Sequence, residues 1–278
     1  MKIDFKNILL LTRKEILDAR RNRWFILYTI VFAGLSLALS WLGLSGLREY
    51  GLSGFGRTTA SMINLVLLIV PLMGLTLGAM SLAGERERGT LIYILAQPVS
   101  HLELLLGKFF GVGLSLMGAL TIGFGLSGFM IAYYGGTTAI SSYLALIVFT
   151  FLLALTSLGL GMLISSALRK ADTAIGISLF VWLLLVFFGD LGIMGSTIIM
   201  NFSIEQVFTL ALLNPLQVFK LSAILMLQGN LEILGPIGVY AMRQYGAQLL
   251  PLLSGILVLW IITTFGITFY AFKQRGAL

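Results

Sequence analysis

Six long apolar stretches dominate this sequence and restrict the chain to a membrane fold. Each has at least the roughly 20 residues that a helix needs to cross about 30 Å of hydrocarbon, and we place them at 24–44, 61–83, 104–134, 142–167, 173–195 and 249–272. The third is long enough to tilt or to extend beyond the bilayer. These runs are apolar on every face, whereas strands of a membrane barrel alternate polar and apolar residues. The sequence therefore predicts an all-α membrane protein with six transmembrane helices.

The composition excludes several kinds of active site. Hydrophobic residues make up 58% of the 278 residues and charged residues only 10%, against roughly 25% charged in an ordinary soluble domain. With no cysteine and one histidine, His101, the chain offers no disulfide framework, no zinc ligand set and no Ser/His/Asp triad. The phosphate-loop pattern G-x-x-x-x-G-K-[ST] is missing, because Gly107-Lys108 is followed by Phe109. We expect no catalytic residue, no metal site and no cofactor on this chain.

The basic residues predict the topology. With six crossings both termini share one side, and this side holds all but four of the 18 Lys and Arg residues. The other side holds Arg48, Arg57, Lys220 and Arg243. The positive-inside rule then puts both termini and the 273–278 tail in the cytoplasm. The net charge of +7 reflects this topology, and we expect no nucleic-acid partner.

Residues 1–23 are predicted to form an amphipathic helix in the cytoplasmic interface, with 24–272 as the transmembrane domain. Positions with spacings of three and four share one face of this helix, while most of the cations fall elsewhere; these positions are Phe5, Ile8, Leu9, Thr12, Ile16 and Ala19. Such a helix contacts membrane lipid with its apolar face and anionic headgroups with its cations. The alternative is a basic tail that only fixes the topology.

The segment 84–101, part of "GERERGTLIYILAQPVSHLE", is predicted to be a short cytoplasmic helix between two spans. Four charges follow Gly84, and then Leu91, Ile94 and Leu95 share one helical face. Pro98 ends the helix, because proline lacks an N–H and disfavours the helical region for the residue before it. Ser100 and Glu103 have the spacing of a capping box that starts the next helix. The alternative is an ordinary polar loop.

This segment resembles the one that follows the second span in permeases of the ABC-2 transporter family. The matching residues are Glu85, Glu87, Gly89, Thr90, Leu91, Pro98, Gly107 and Lys108, and the basic segment "RKEILDARRNRW" is similar to the N-terminal element of that family. The resemblance implies a permease subunit in the bacterial inner membrane that dimerises with a second copy. It also implies a separate cytoplasmic ATPase, which binds the ATP and Mg²⁺ and receives the short helix in a groove.

We therefore predict the contacts with the ATPase within this segment, at Glu85, Arg86, Glu87, Arg88, Gly89, Thr90, Leu91, Ile94 and Leu95. The three apolar residues would fill the groove of the ATPase. Glu85 and Glu87 would meet basic residues at its rim.

An insertion at 196–248 precedes the last span on the external side. Asn214 as N-cap and Pro215 at the first position predict a helix of about 13 residues, which is too short to cross. With Phe219 and Lys220, these residues would form an external gate or a surface for a periplasmic protein; the alternative is a buried re-entrant segment. Asn214, Pro215, Lys220 and Leu221 also resemble a subgroup of these permeases that supports maturation of periplasmic nitrous oxide reductase.

Other functions remain open at this stage. The chain could be a general ABC-2 exporter of a lipid, a drug or another solute. A secondary transporter is the less favoured alternative, because broken helices and several charges at the membrane midplane would be expected in it, and the sequence predicts neither. Asp190, near the outer end of the fifth span, is a possible pathway residue, and its alternative is a solvated residue at the interface.

Overall fold

The computed structural model describes the backbone of residues 4–45, 55–135, 140–198, 202–229 and 231–275. Within these ranges it contains eleven α-helices, two short 3₁₀ turns and no strand. The helices are α1 Phe5–Ala19, α2 Arg23–Ser45, α3 Phe55–Glu87, α4 Thr90–Leu95, α5 His101–Gly135, α6 Ile140–Ala167, α7 Ala171–Ile198, α8 Ile204–Leu212, α9 Pro215–Gln228, α10 Pro236–Tyr245 and α11 Leu249–Arg275. The 3₁₀ turns are Glu232–Leu234 and Gly246–Gln248.

Six helical segments within these ranges are long and apolar enough to cross a membrane, which confirms the predicted all-α fold. They are Arg23–Gly43, Ser61–Glu87, His101–Tyr134, Ile140–Ala167, Ala171–Gly189 and Pro236–Gln274. The helices α8 and α9 meet at a bend of 105° and would count as a seventh crossing only if taken together. The chain is a multi-pass membrane protein. The helices α1 and α4 lie at one end of the bundle. The helices α8 to α10 lie at the other, which we call the opposite end.

The centre of the bundle is the pair α3 and α6. The apolar window of α3 is 78% buried, against 11% for α7. A Cβ added at Gly78 would lie 2.5 Å from the carbonyl oxygen of Leu158, and one at Gly74 would lie 2.7 Å from Cβ of Ser157. Gly161 of α6 approaches the Leu75 carbonyl in the same way. Small residues thus let the two backbones touch, as is common where membrane helices pack tightly.

A serine of α6 also bonds to the backbone of α3. Ser165 Oγ accepts hydrogen bonds from the N–H groups of Leu82 at 3.0 Å and Ala83 at 2.8 Å, and it donates to the Ala79 carbonyl at 2.5 Å. A side chain inserted in this way into a helical hydrogen-bond ladder fixes the local course of the helix. Ser165 thus adds hydrogen bonds between α6 and the last turns of α3.

A second close contact joins α1 to α5. Gly107 lies against Leu11, and Gly111 lies against Glu15, so that α1 runs along the first turns of α5. The face of α1 that was predicted to contact lipid is therefore divided. Thr12 is buried and donates to the Gly107 carbonyl, and Ile8, Ile16 and Ala19 are half-buried. Phe5 and Leu9 of the predicted face stay exposed.

The predicted external helix exists as α9, but it is packed inside the protein. Asn214 is its N-cap and accepts from the N–H of Leu216 at 3.0 Å, and Pro215 is its first residue. The helix packs against α6, α11 and α3, and Val218, Phe219 and Ser222 have no exposed surface. The structure thus favours the re-entrant alternative for this segment.

Candidate docking site around α4

The helix α4 is held by a defined turn at each end. Gly89 precedes it with φ +72°, a left-handed conformation that glycine adopts most easily. On the other side, Ser100 N–H donates to Glu103 at 2.9 Å and Glu103 N–H donates to Ser100 Oγ at 3.2 Å. This is the capping box that the sequence predicted. A six-residue helix is thus fixed between α3 and α5.

The exposed face of α4 differs from the predicted one. Leu91 is fully buried, and Ile94 and Leu95 are half-buried against the same core. Ile92 is 60% exposed and Tyr93 is 76% exposed. The three predicted residues do share a face, but that face anchors α4 to its own protein. The exposed large apolar side chains of α4 are Ile92 and Tyr93.

Two of the four charges before α4, Arg86 and Glu87, tie the end of α3 to the region where α6 ends and α7 begins. Arg86 donates to the Leu168 carbonyl at 2.6 Å, just beyond the end of α6. The exposed Glu87 accepts from the N–H of Ala171 at 2.8 Å, the first residue of α7. Arg88 and Thr90 are exposed, and Thr90 donates back to the Glu85 carbonyl at 3.2 Å. The acidic residues placed at a rim by sequence thus have partners within the chain.

Glu85 is the clearest correction among these charges. It is 5% exposed and lies in a cluster of ion pairs, which excludes it from the outer rim of a docking surface. Lys108 Nζ of α5 lies 2.9 Å from Glu85 and 2.8 Å from Glu15 of α1. Lys14 Nζ lies 2.6 Å from the other oxygen of Glu85. We call Lys14, Glu15, Glu85 and Lys108 the ion cluster.

The ion cluster joins α1, α3 and α5 at one point. Lys108 is 1% exposed and Glu15 is 8% exposed, so each charge depends on the others to offset the cost of leaving water. Burial alone would lower the pKa of Lys14. The hydrogen bond with Glu85 and the nearby carboxylates outweigh burial and raise this pKa above its ordinary value. Lys14 is therefore held in its charged form.

A further contact fastens the start of α1. Glu103 accepts from the backbone N–H of Asp4 at 2.7 Å and from the Asn7 side chain at 3.3 Å. The same carboxylate closes the capping box of α5. One side chain therefore fixes the starts of two helices.

A cleft of about 700 Å³ opens beside α4. Its lining includes Arg21, Phe25, Met80, Arg88 and Tyr93, with the ion cluster at one side. The cleft lies next to Ile92 and Tyr93, the exposed large apolar side chains of α4. The described side chains include no group of three or more His, Cys, Asp or Glu that could hold a metal ion.

The residues predicted to form an external gate or partner surface, at the opposite end of the bundle, are buried or half-buried within the protein. Pro215 and Phe219 are buried, and Asn214 is half-buried, donating to the Leu185 carbonyl at 2.7 Å. Lys220 is half-buried and lines a small groove. Asp190 belongs to α7, but its side chain lies outside the described residues.

Several residues of the site escaped sequence reasoning. Lys14 is 71 residues away from Glu85, and Glu15 is 93 residues away from Lys108, so nothing local in the sequence pairs them. One signal was present, because Lys108 interrupts an apolar run, and charges inside membrane segments are usually paired. Ile92 and Tyr93 gave no signal, since a six-residue helix shows too little periodicity to separate its inner face from its outer face.

The fold and this site together define a class of protein: a helical membrane protein with a rigid, partly exposed helix between its second and third spans. The chain belongs to the ABC-2 family of transporter proteins, whose family model matches residues 9–277. Two similar proteins are named "Probable ABC transporter permease protein NosY". The one from Stutzerimonas stutzeri is 29% identical over 271 residues, which cover 95% of this chain and 97% of that protein. The one from Pseudomonas aeruginosa is 30% identical over 217 residues, which cover 76% of this chain and 79% of that protein.

Proposed function

We propose that this permease couples ATP hydrolysis in a separate cytoplasmic ATPase to transport or signal transmission across the bacterial inner membrane. The observation that carries the proposal is the exposure of Ile92 and Tyr93 on a helix whose inner face and both ends are fixed to the bundle. ATP and Mg²⁺ belong to the partner, and this chain supplies the surface that senses its shape.

The apolar pair supplies most of the binding free energy in this proposal. Full burial of one large apolar side chain stabilises a contact by roughly 1.5 to 3 kcal/mol, whereas an exposed ion pair contributes about 0 to 1 kcal/mol. Ile92 and Tyr93 would enter a groove of the ATPase. The charged rim of the adjacent cleft, at Arg21 and Arg88, would then orient the partner.

Motion of the ATPase reaches the membrane through the helices attached to α4. Gly89 joins α4 to α3, which is bonded to α6 through Ser165. The capping box joins α4 to α5, which is bonded to α1 through the ion cluster. A change in the shape of the ATPase can shift the permease only if the two shapes make different contacts with it. Contacts made at α4 are connected in this way to α1, α3, α5 and α6.

The decisive experiment uses an affinity-tagged chain purified from its native host. An Ile92→Asp, Tyr93→Asp double substitution should abolish co-purification of ATPase activity, because it places two charges in an apolar contact. Lys273→Asp is the matched control, since it adds an acid at another exposed position and should leave the ATPase bound. Undiminished ATPase recovery with the double variant would overturn the proposal.

The proposed orientation places both termini and α4 in the cytoplasm. The chain has no cysteine, so single cysteines can be introduced at Ser100, Lys170 and Gln228 without other changes. In intact cells a membrane-impermeant thiol reagent should label the cysteine at 228 and spare those at 100 and 170. The reverse pattern would put α4 on the wrong side for a cytoplasmic ATPase.

We infer further that this chain works in a NosDFY-like system for maturation of nitrous oxide reductase. The inference is supported by its similarity to the two proteins named NosY and by the resemblance at Asn214, Pro215, Lys220 and Leu221. A NosD-like periplasmic protein would contact the exposed apolar residues of α8 and its end, Ile204, Leu210 and Leu213. Leu213→Asp should weaken co-purification of that partner, and Gln248→Asp, exposed elsewhere, should not. Normal nitrous oxide reductase activity after deletion of the gene would instead favour a general ABC-2 exporter.

The family resemblance also leads us to propose a homodimer. The apolar window of α7 is 11% buried within one chain, which leaves an extensive face for a second copy. Cysteines at exposed Phe180 or Leu184 should cross-link two chains in native membranes. A chain that stays uncrosslinked at both positions would contradict a dimer through α7.

A further inference from the structure

The cleft beside α4 becomes less polar along the helices that line it. On α3 its lining runs from Glu85, near the end of the helix, to Met80 and Leu77. On α5 the lining runs from Lys108 to Val112. The cleft thus has a charged part near the helix ends and an apolar part further along the same helices.

The apolar part of the cleft reaches into the membrane-spanning region. Leu77 lies ten residues before the end of the second span at Glu87, and Val112 lies eleven residues after the start of the third span at His101. At 1.5 Å per residue these positions are about 15 Å from the ends of the spans. Since half of the hydrocarbon core is about 15 Å thick, the cleft extends from the polar boundary to the level of the acyl chains.

The charged part of the cleft has one positive charge in excess. Among the described lining residues four are cations and three are carboxylates, namely Lys14, Arg21, Arg88, Lys108, Glu15, Asp18 and Glu85. The carboxylates pair with the two lysines. In the part of the chain that the structure describes, the guanidinium groups of Arg21 and Arg88 form no ion pair, and both residues are exposed. A phosphodiester with one negative charge would balance the excess.

We propose that this cleft binds one anionic phospholipid. Its phosphate contacts Arg21 and Arg88, because a guanidinium donates paired hydrogen bonds to phosphate oxygens. One acyl chain begins against Phe25, Met80 and Leu77, which line the cleft. The volume of about 700 Å³ is within the range of about 300 to 1,000 Å³ for ligand sites. It suits a headgroup and the first part of one chain, with the rest of the lipid in the bilayer.

This lipid site goes beyond the proposed function and is compatible with it. Each guanidinium has five N–H donors, so Arg21 and Arg88 can contact a lipid phosphate in the cleft and the ATPase outside it. Arg13 and Arg20 are exposed but lie outside the lining, and such cations attract anionic headgroups without fixing one in place. A lipid in the cleft instead connects the turn between α1 and α2 to the segment that leads into α4.

The test uses Met80→Cys in the cysteine-free chain, because Met80 is half-buried and lines the cleft. The purified protein is placed in phosphatidylcholine nanodiscs with increasing mole fractions of phosphatidylglycerol of the same acyl chains, and modification by neutral N-ethylmaleimide is timed. Phosphatidylglycerol should slow the reaction. The mole fraction for half-maximal slowing should rise roughly 25-fold when Arg21→Gln and Arg88→Gln are added, because each cation strengthens attraction to an anionic headgroup about fivefold.

Two controls separate the cleft from general attraction to an anionic surface. Arg13→Gln with Arg20→Gln removes the same charge outside the lining and should leave the half-maximal mole fraction unchanged. Thr173→Cys, exposed in the first turn of α7 and outside the lining, should react equally fast with and without phosphatidylglycerol.

Three results would overturn the lipid site. Phosphatidylglycerol would fail to slow modification at Met80→Cys, or the slowing would persist unchanged in the Arg21→Gln, Arg88→Gln variant. In the third, soluble glycerol 3-phosphate would protect Met80→Cys in pure phosphatidylcholine nanodiscs, which would identify a soluble phosphate as the occupant. No ATPase is present in these measurements, so failure of the coupling proposal would be seen separately.

Discussion

Two contacts in this permease rest on glycines four residues apart, yet they are built on different physics. Gly74 and Gly78 let α3 touch α6 backbone to backbone in an apolar core. Gly107 and Gly111 let α1 lie on α5, where the ion cluster and Glu103 add charges and hydrogen bonds. At Gly74 and Gly78 the two helices meet by close packing, and the hydrogen bonds of Ser165 join them further along α3. Near the aqueous boundary, shape sets the distance and charge secures it.

This comparison predicts the largest effect for Lys108→Met. The change leaves Glu15 and Glu85 buried without their shared cation, and breaking a buried pair in this way costs about 3 to 5 kcal/mol. The free energy of unfolding in mixed micelles, followed by tryptophan fluorescence, should fall by that amount. A Glu85→Met, Lys108→Met double variant should regain at least half of the loss, because Glu15 still lies 3.4 Å from Lys14. A double variant no more stable than Lys108→Met would show that charge does not secure this contact.

The next effect concerns shape in the core. Gly78→Ala puts a methyl group 2.5 Å from the Leu158 carbonyl, and because backbone rather than a flexible side chain is in the way, we expect a loss of about 2 to 3 kcal/mol. Gly118→Ala is the matched control, since Gly118 lies in α5 with nothing within 4 Å of an added Cβ. The same unfolding measurement should show the control to be neutral or slightly stabilised. Equal stability of the two variants would contradict the tight α3–α6 contact.

A smaller loss is expected for Gly111→Ala, about 1 to 2 kcal/mol. The added methyl group meets Glu15, but α1 packs on one side only and can move outward. Because this movement stretches the ion pair to Lys108, Gly111→Ala and Lys108→Met should be less than additive. If the two losses in the free energy of unfolding add fully in the double variant, the glycine contact is energetically independent of the ion cluster.

The smallest effect is expected for Ser100→Ala, about 1 kcal/mol from loss of the N-cap. Since Glu103 would keep its bonds to Asp4 and Asn7, α1 should remain attached to α5. Ser254→Ala, which removes a local bond on the exposed side of α11, should cost less than about 0.5 kcal/mol. If Ser100→Ala lowers the free energy of unfolding as much as Lys108→Met does, the cap rather than the ion cluster secures the contact between α1 and α5.

Much of the fold was predictable because the relevant signals are local. Runs of apolar residues gave the spans to within a few residues, and Ser100 with Glu103, or Asn214 with Pro215, gave helix starts from spacing alone. The last apolar segment was underestimated, because α10 and Gly246–Gln248 join it to form Pro236–Gln274. The glycine pairs were visible in the sequence as well. With 32 glycines in the chain, however, their spacing could not be distinguished from chance.

The site was less predictable because its contacts are between distant parts of the chain. Leu91 and Phe219 were assigned to outer surfaces, but an apolar residue on a short helix packs equally well on its own core or on a partner. Glu85 was assigned to a rim, since its neighbours in sequence are charged and polar. Its burial depends on Lys108, and that pairing arises only when α3 and α5 are side by side.

The bond from Ser165 to α3 also bears on how the protein is made. Leu82 enters the growing chain 83 residues before the serine that accepts its N–H hydrogen bond. Ser165 can therefore add its hydrogen bonds to α3 only after α4, α5 and most of α6 have been synthesised. The final packing of the last turns of α3 is thus completed by the arrival of Ser165, whereas the hydrophobicity of α3 itself is sufficient for the helix to enter the membrane.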